Sequence, residues 1–181
     1  MQRVALSLVF TLSLAFTAPV AAQNYPGQRS PGPDIKKLDY FAGIWKSEGD
    51  LKPGPYGGGG KFTGTGHNEW MPGGFFLLSH TDESSPLGKG TGLAIFGYDR
   101  KEKVYTYHAY NSRGEAEQAK GVLEGDTWTW TNEEKMGSMV MRGRYTIKTI
   151  SPTTYNFKFE MAPDGGQWST VIEGKATKTS K

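Results

Sequence analysis

The sequence predicts an all-β protein, an antiparallel up-and-down β-barrel of about ten strands with a short helical turn before the first. From Gly43 onward no helical period lasts three turns, whereas β-branched, aromatic and alternating runs recur between Gly, Pro and Asp clusters. The links between these runs are mostly short, and short links force neighbouring strands antiparallel. Consecutive hairpins without long crossovers favour a closed barrel over a sandwich.

The chain opens with an address. One positive charge at Arg3 precedes an apolar run from Val4 to Phe16 and the small residues Val20 and Ala22. That is the layout of a secretory signal peptide over residues 1–22, cut after Ala22, and the run is shorter than the roughly 20 residues a membrane-spanning helix needs. Residues 23–33 hold three Pro and two Gly without apolar periodicity and read as a flexible leader. Residues 34–181 form the single domain. Asp34 is placed to cap one helical turn over Ile35 to Phe41, in which Ile35, Leu38 and Phe41 share a face.

Ten strand-like runs follow. They are Gly43 to Gly49, Lys61 to Trp70, Phe75 to Asp82, Thr91 to Tyr98, Val104 to Asn111, Glu117 to Leu123, Thr127 to Asn132, Met139 to Thr149, Thr154 to Met161 and Gln167 to Ala176. Tyr155, Phe157, Phe159 and Met161 alternate with polar residues, as do Met139, Met141, Tyr145 and Ile147, and Trp128 shares a side with Trp130. The expected interior therefore holds Trp128, Trp130, Met139, Met141, Tyr145, Phe157, Phe159 and Trp168. Arg142, Arg144 and Lys148 form a basic stripe expected on the solvated outer face. Gly43 permits a sharp bend, and Trp45 is placed to close the bottom of the barrel against the helical turn.

Composition removes whole classes of function. Zero Cys excludes disulfides, thiol catalysis, Cys-ligated metal and a lipid-modified cysteine. With 21 Lys+Arg against 18 Asp+Glu, the charge is too balanced for a nucleic-acid binder. After signal cleavage no membrane insertion is expected. Export without cysteine suits a bacterial periplasm or exterior. Gly57-Gly-Gly-Gly60 precedes a strand and lacks the Lys-Ser/Thr of a phosphate loop, so it reads as a loop at the barrel mouth.

Several motifs carry a resemblance. Phe41-Ala-Gly-Ile-Trp-Lys-Ser-Glu-Gly49, with its Gly43-x-Trp45 pair, resembles the entrance motif of lipocalins and other calycins and the start of nitrobindin-like barrels. With Met71-Pro-Gly-Gly74, Gly97-Tyr-Asp99, Tyr110-Asn-Ser-Arg-Gly114 and Gly125-Asp-Thr-Trp-Thr-Trp130, the stretch Leu38 to Lys178 resembles a bacterial family of small, mostly exported calycin-like barrels described only as a domain of unknown function. The resemblance implies the fold and no activity. Likeness to nitrobindins would imply haem through a late proximal histidine, but the last His is His108, and no cofactor is expected.

The candidate site is the interior. An aromatic and Met-rich lining suits a small apolar or planar molecule, with Trp45, Trp128, Trp130, Met141, Tyr145, Phe157 and Phe159 as ligand-binding residues. The three histidines add a polar element. If Pro72-Gly73 is a two-residue turn, Glu69 lies opposite Phe76, His67 opposite Leu78 and Thr65 opposite His80. His67, Glu69 and His80 then share one face, and His108 belongs to an aromatic-rich strand whose polar tips fit a pocket wall. These residues favour an exported binding protein over an enzyme, with no catalytic or metal site assigned. The alternatives are an enzyme using His67, Glu69 and His80 for acid–base chemistry, or an envelope interaction protein with no internal ligand.

Overall fold

The computed structural model describes residues 30–54, 57–136 and 139–180. The expected signal peptide lies outside them, as does most of the leader. A helical turn, α1 (Pro33–Lys36) continuing as a 3-10 turn over Lys37–Phe41, leads into ten strands. These are β1 (Gly43–Leu51), β2 (Gly60–Trp70), β3 (Leu77–Ser85), β4 (Gly88–Asp99), β5 (Val104–Asn111), β6 (Ala116–Glu124), β7 (Thr127–Met136), β8 (Met139–Ser151), β9 (Thr154–Pro163) and β10 (Ser169–Ser180). Each pairs with its sequence neighbours, and β1 also pairs with β10, so the meander closes into an antiparallel barrel. The helical turn is capped at Gly32, not by Asp34. No side chain bonds its first amides, and Asp34 in the first turn pairs with Lys37 instead.

Directly opposed residues share a face, so closure transmits one choice of inside and outside around the ring. Trp45 makes that choice. Gly43, at φ 105°, turns the chain out of the helical segment, and Trp45 then points inward and donates from its indole nitrogen to the Phe41 carbonyl at 2.8 Å. Asn68 donates to the same carbonyl at 2.7 Å. Ile35, Leu38, Phe41, Leu77, Tyr105 and Trp128 complete a buried floor around this point. Burial and the Asp34 charge push the Tyr105 phenol up to about 12, and its hydroxyl donates to the Asp34 carbonyl, tying floor to wall.

The sequence expectations for the β2–β3 turn, Trp168 and Met139 need correction, Met139 being 59% exposed at the start of β8 rather than interior. β2 and β3 are joined by six residues, Met71 to Phe76, rather than by a two-residue turn, because Met71 donates to Phe76 and Gly73 and Gly74 both take positive φ. The longer loop shifts the pairing, setting His67 directly opposite His80 and Glu69 opposite Leu78. Trp168 is not an interior residue. It lies against the outer wall, 4.3 Å from the Arg144 guanidinium carbon and 5.7 Å from that of Arg142. Beneath this cover, burial works against the charge of Glu160, but hydrogen bonds from Lys158 and Arg144 outweigh it and hold the carboxyl below its usual range. The basic stripe is thus an outer-wall network, as its position predicts, with an aromatic lid that the strand pattern does not show.

Truncating Trp45 removes a large buried side chain and leaves a cavity in the floor. Trp45→Ala is expected to lower the unfolding free energy by about 3–5 kcal/mol. Trp45→Phe, which chiefly loses the hydrogen bond to Phe41, should lower it by about 1 kcal/mol. Denaturant unfolding followed by fluorescence of the remaining tryptophans measures both.

Candidate functional site

Inward residues form two zones along the barrel axis. At the floor they are buried, with Trp45, Leu77, Tyr105, Trp128, Trp130, Ile147 and Phe157 each no more than 7% exposed. Toward the mouth, Phe62, Phe96, Tyr107, Tyr145, Phe159 and Met141 are only partly buried although they point inward. The accessible surface left on these inward side chains marks unfilled space, a cup, above the buried floor.

The cup has unlike walls. On β5 and β7 to β9, rings pack against one another. Trp128 and Trp130 stack with centroids 6.3 Å apart, Tyr145 stacks on Phe157 at 5.9 Å, and Tyr107 tilts against Trp130 at 6.1 Å. On β10 and β1 to β4, the small inward residues Gly174, Ala176, Ser47, Gly64, Gly66, Ser79, Gly92 and Ala94 are interspersed with the rings of Phe62 and Phe96. Small residues also make room for the rings themselves, since a Cβ on Gly121 would meet the Trp130 ring at 2.5 Å and one on Gly174 the Phe157 ring at 2.7 Å. Gly66 differs, because a Cβ there would meet nothing closer than 3.7 Å.

Polar groups gather at the mouth. Asn132 on β7 donates to Glu117 on the neighbouring β6 at 3.2 Å, and Arg113 reaches over from the β5–β6 turn to pair with Glu83 at 3.0 Å. Burial raises the Glu117 carboxyl above its usual range, and the charges of Glu134 and Glu115 raise it further. Tyr107 and Tyr145 are raised chiefly by burial, Tyr107 also by the Glu117 charge and Tyr145 also by its tyrosine neighbours. Between β6 and β7 the ladder runs only from Glu124–Thr127 to Lys120–Thr131, so the two strands are unpaired above that point, beside Glu117 and Asn132.

Of the residues picked out in the sequence, Trp128, Trp130, Met141, Tyr145, Phe157 and Phe159 line the interior, with Met141 near the rim, and Trp45 belongs to the floor. His67, Glu69, His80 and His108 do not join them. All four side chains are exposed on the outer wall, because their strands present Gly66, Ser79 and Tyr107 inward and alternation turns the next residue out. The inward acid–base cluster is therefore not formed. Among the described residues no three His, Asp or Glu are grouped as a metal site requires. Sequence reading missed Glu117, Asn132, Tyr107, Phe96 and Phe62. The available signal was the alternation of Glu117, Ala119, Gly121 and Leu123, which puts Glu117 on the side of small and apolar residues.

Two hollows also mark the outside. One of about 780 Å³ is bordered by Lys46, Thr65, Asp82, Thr91 and Lys175, and one of about 470 Å³ by His80, Leu93 and Tyr110. Both are open to water. The larger is walled chiefly by Lys, Thr, Ser and acidic side chains, which offer an apolar guest little burial.

Residues 30–178 match the family described as "Protein of unknown function (DUF1579)". The chain belongs to the DUF1579 family. Its barrel resembles that of Rv2717c from M. tuberculosis, whose crystal structure aligns with a TM-score of 0.58 at 13% identity over 82% of this chain and 98% of that one. It also resembles the S-type phycobiliprotein lyase CPES from Guillardia theta, with a TM-score of 0.51 at 9% identity over 81% of this chain and 93% of that one. At such identities the likeness is one of fold. No curated protein matches this DUF1579 chain.

The raised Glu117 carboxyl has a consequence for stability. A carboxyl raised on folding favours the native state below its unfolded value, near pH 4.3, and loses that contribution as pH rises through the folded value. Glu117→Gln is thus expected to raise the melting temperature at pH 7, and the gain should vanish below about pH 4. Thermal unfolding of both proteins across pH 3 to 8 measures it.

Proposed function

We propose that this protein is a binder of small, largely apolar, planar molecules, holding its ligand in the barrel cup without transforming it. The observation that carries this reading is the pairing of unlike walls. A ring-lined face opposite a face rich in Gly, Ala and Ser leaves a slot in which a flat molecule stacks on one side and slides close to backbone on the other. Stacked aromatic contacts contribute about 0.5–1.5 kcal/mol each beyond the area they bury. The absence of an inward histidine cluster among the described residues favours binding over acid–base catalysis. The likeness to a phycobiliprotein lyase supports the architecture alone, so ligand choice here is argued from this cup's own residues.

Native mass spectrometry of protein purified from its source cells should show an added mass of small-molecule size that organic solvent removes. In Gly66→Leu the new side chain enters the open lumen, and the added mass should be lost while the circular dichroism spectrum is unchanged. Retention of the ligand by Gly66→Leu would place it outside the cup.

We also propose that the protein works after export, supported by the charge, apolar run and small residues of positions 1–22. The intact mass of the protein from the periplasm or medium should correspond to a chain beginning at Gln23. A cytoplasmic full-length mass would refute this.

A further inference from the structure

Hydrogen-bonding capacity in the cup is unevenly distributed. Asn68 spends its amide N–H on the Phe41 carbonyl, and its Oδ1 is buried with no hydrogen-bond partner among the described residues. That oxygen lies 3.7 Å from where a Cβ on Gly66 would stand. Along one paired row, Asn68 faces Ser79, Ser79 faces Ala94, Ala94 faces Ala109 and Ala109 faces Glu117. Two acceptors thus stand at the ends of a row of small residues whose arc is about 19 Å at the usual strand spacing.

Charge points the same way. Glu117 and Glu134 are on inward positions, and Asn132 gives Glu117 a single neutral hydrogen bond. The basic group that reaches in at the mouth, Arg113, is already committed to Glu83. Lys178, at the floor, donates to the Tyr40 carbonyl and lies over the Tyr40 and Trp45 rings. Burial and the neighbouring acids oppose the Glu117 charge, which is the condition a bound cation relieves. The partly accessible rings of Tyr107 and Tyr145 present faces to which cations are attracted.

We propose that the cup's ligand is a flat organic cation bearing N–H groups, its charge paired with Glu117 and its rings stacked on the wall of Tyr107 and Tyr145. The inference rests on the cup reading above and goes beyond it in naming the ligand's charge and donors. An acid of the same shape would bring its carboxylate to Glu117 and Glu134 and find no uncommitted basic side chain inside the cup among the described residues.

Three fluorescent probes test it: proflavine, a planar cation with amino groups; N-phenyl-1-naphthylamine, which is neutral; and its sulfonated relative 1-anilinonaphthalene-8-sulfonate, an anion. Proflavine should bind at least tenfold more tightly than either. Glu117→Gln should weaken proflavine about tenfold and leave the neutral probe unchanged, and Gly66→Leu should abolish the binding of both. Equal or tighter binding of the neutral or anionic probe, or proflavine affinity unchanged by Glu117→Gln, overturns the cationic ligand while leaving the cup intact. Binding of no probe, or binding indifferent to Gly66→Leu, overturns the cup reading and this inference with it.

Discussion

The closure of β1 onto both β2 and β10 is the constraint on which the remaining structure depends. In an open sheet a one-residue slip of an edge strand exposes its apolar side locally. In a closed ladder every seam shares the consequence, because opposed residues must agree about the interior all the way round. Trp45, anchored by its hydrogen bond to the Phe41 carbonyl, fixes that agreement at the floor. From it follow the inward placement of Tyr105, Trp128, Trp130 and Phe157 and, with equal necessity, the outward placement of every histidine.

Much of this was legible in the sequence because it depends on local alternation. β5 was bounded correctly from Val104 to Asn111, and the paired rings of β7 to β9 announced their own side. What alternation could not give was register across a loop. The Met71 to Phe76 connection contains a Pro-Gly that suggests a tight turn, yet the hydrogen bond from Met71 to Phe76 closes a longer one and brings His67 face to face with His80. The position of Trp168 escapes alternation for a related reason. It precedes β10, outside any ladder, so strand periodicity has no authority over it, and the guanidinium groups of Arg142 and Arg144 draw it to the outer wall.

The other failure concerned charge. A glutamate in a strand reads by default as solvent-facing, but the residues two and four on from Glu117, Ala119 and Gly121, are interior residues. Buried charge is uncommon because it is costly, which is why its presence is informative where a scaffold keeps it. Here the cost is reduced by one hydrogen bond from Asn132, whose own side chain is seated where Gly143 leaves room for it. Glycines thus shape the cup twice, by flattening one wall and by admitting polar groups on another.

The unzipped stretch between β6 and β7 bears on how a guest would come and go. A sealed floor and an otherwise laddered ring leave few ways to widen the vessel without rupturing strand pairing. Above Lys120 and Thr131 these two strands have no mutual ladder to rupture, so they can lean apart for the single Asn132 tether. The flank of the barrel then behaves as a slit beside the rim, and traffic through it would be governed by an amide and a carboxylate rather than by the stiffness of the whole cylinder.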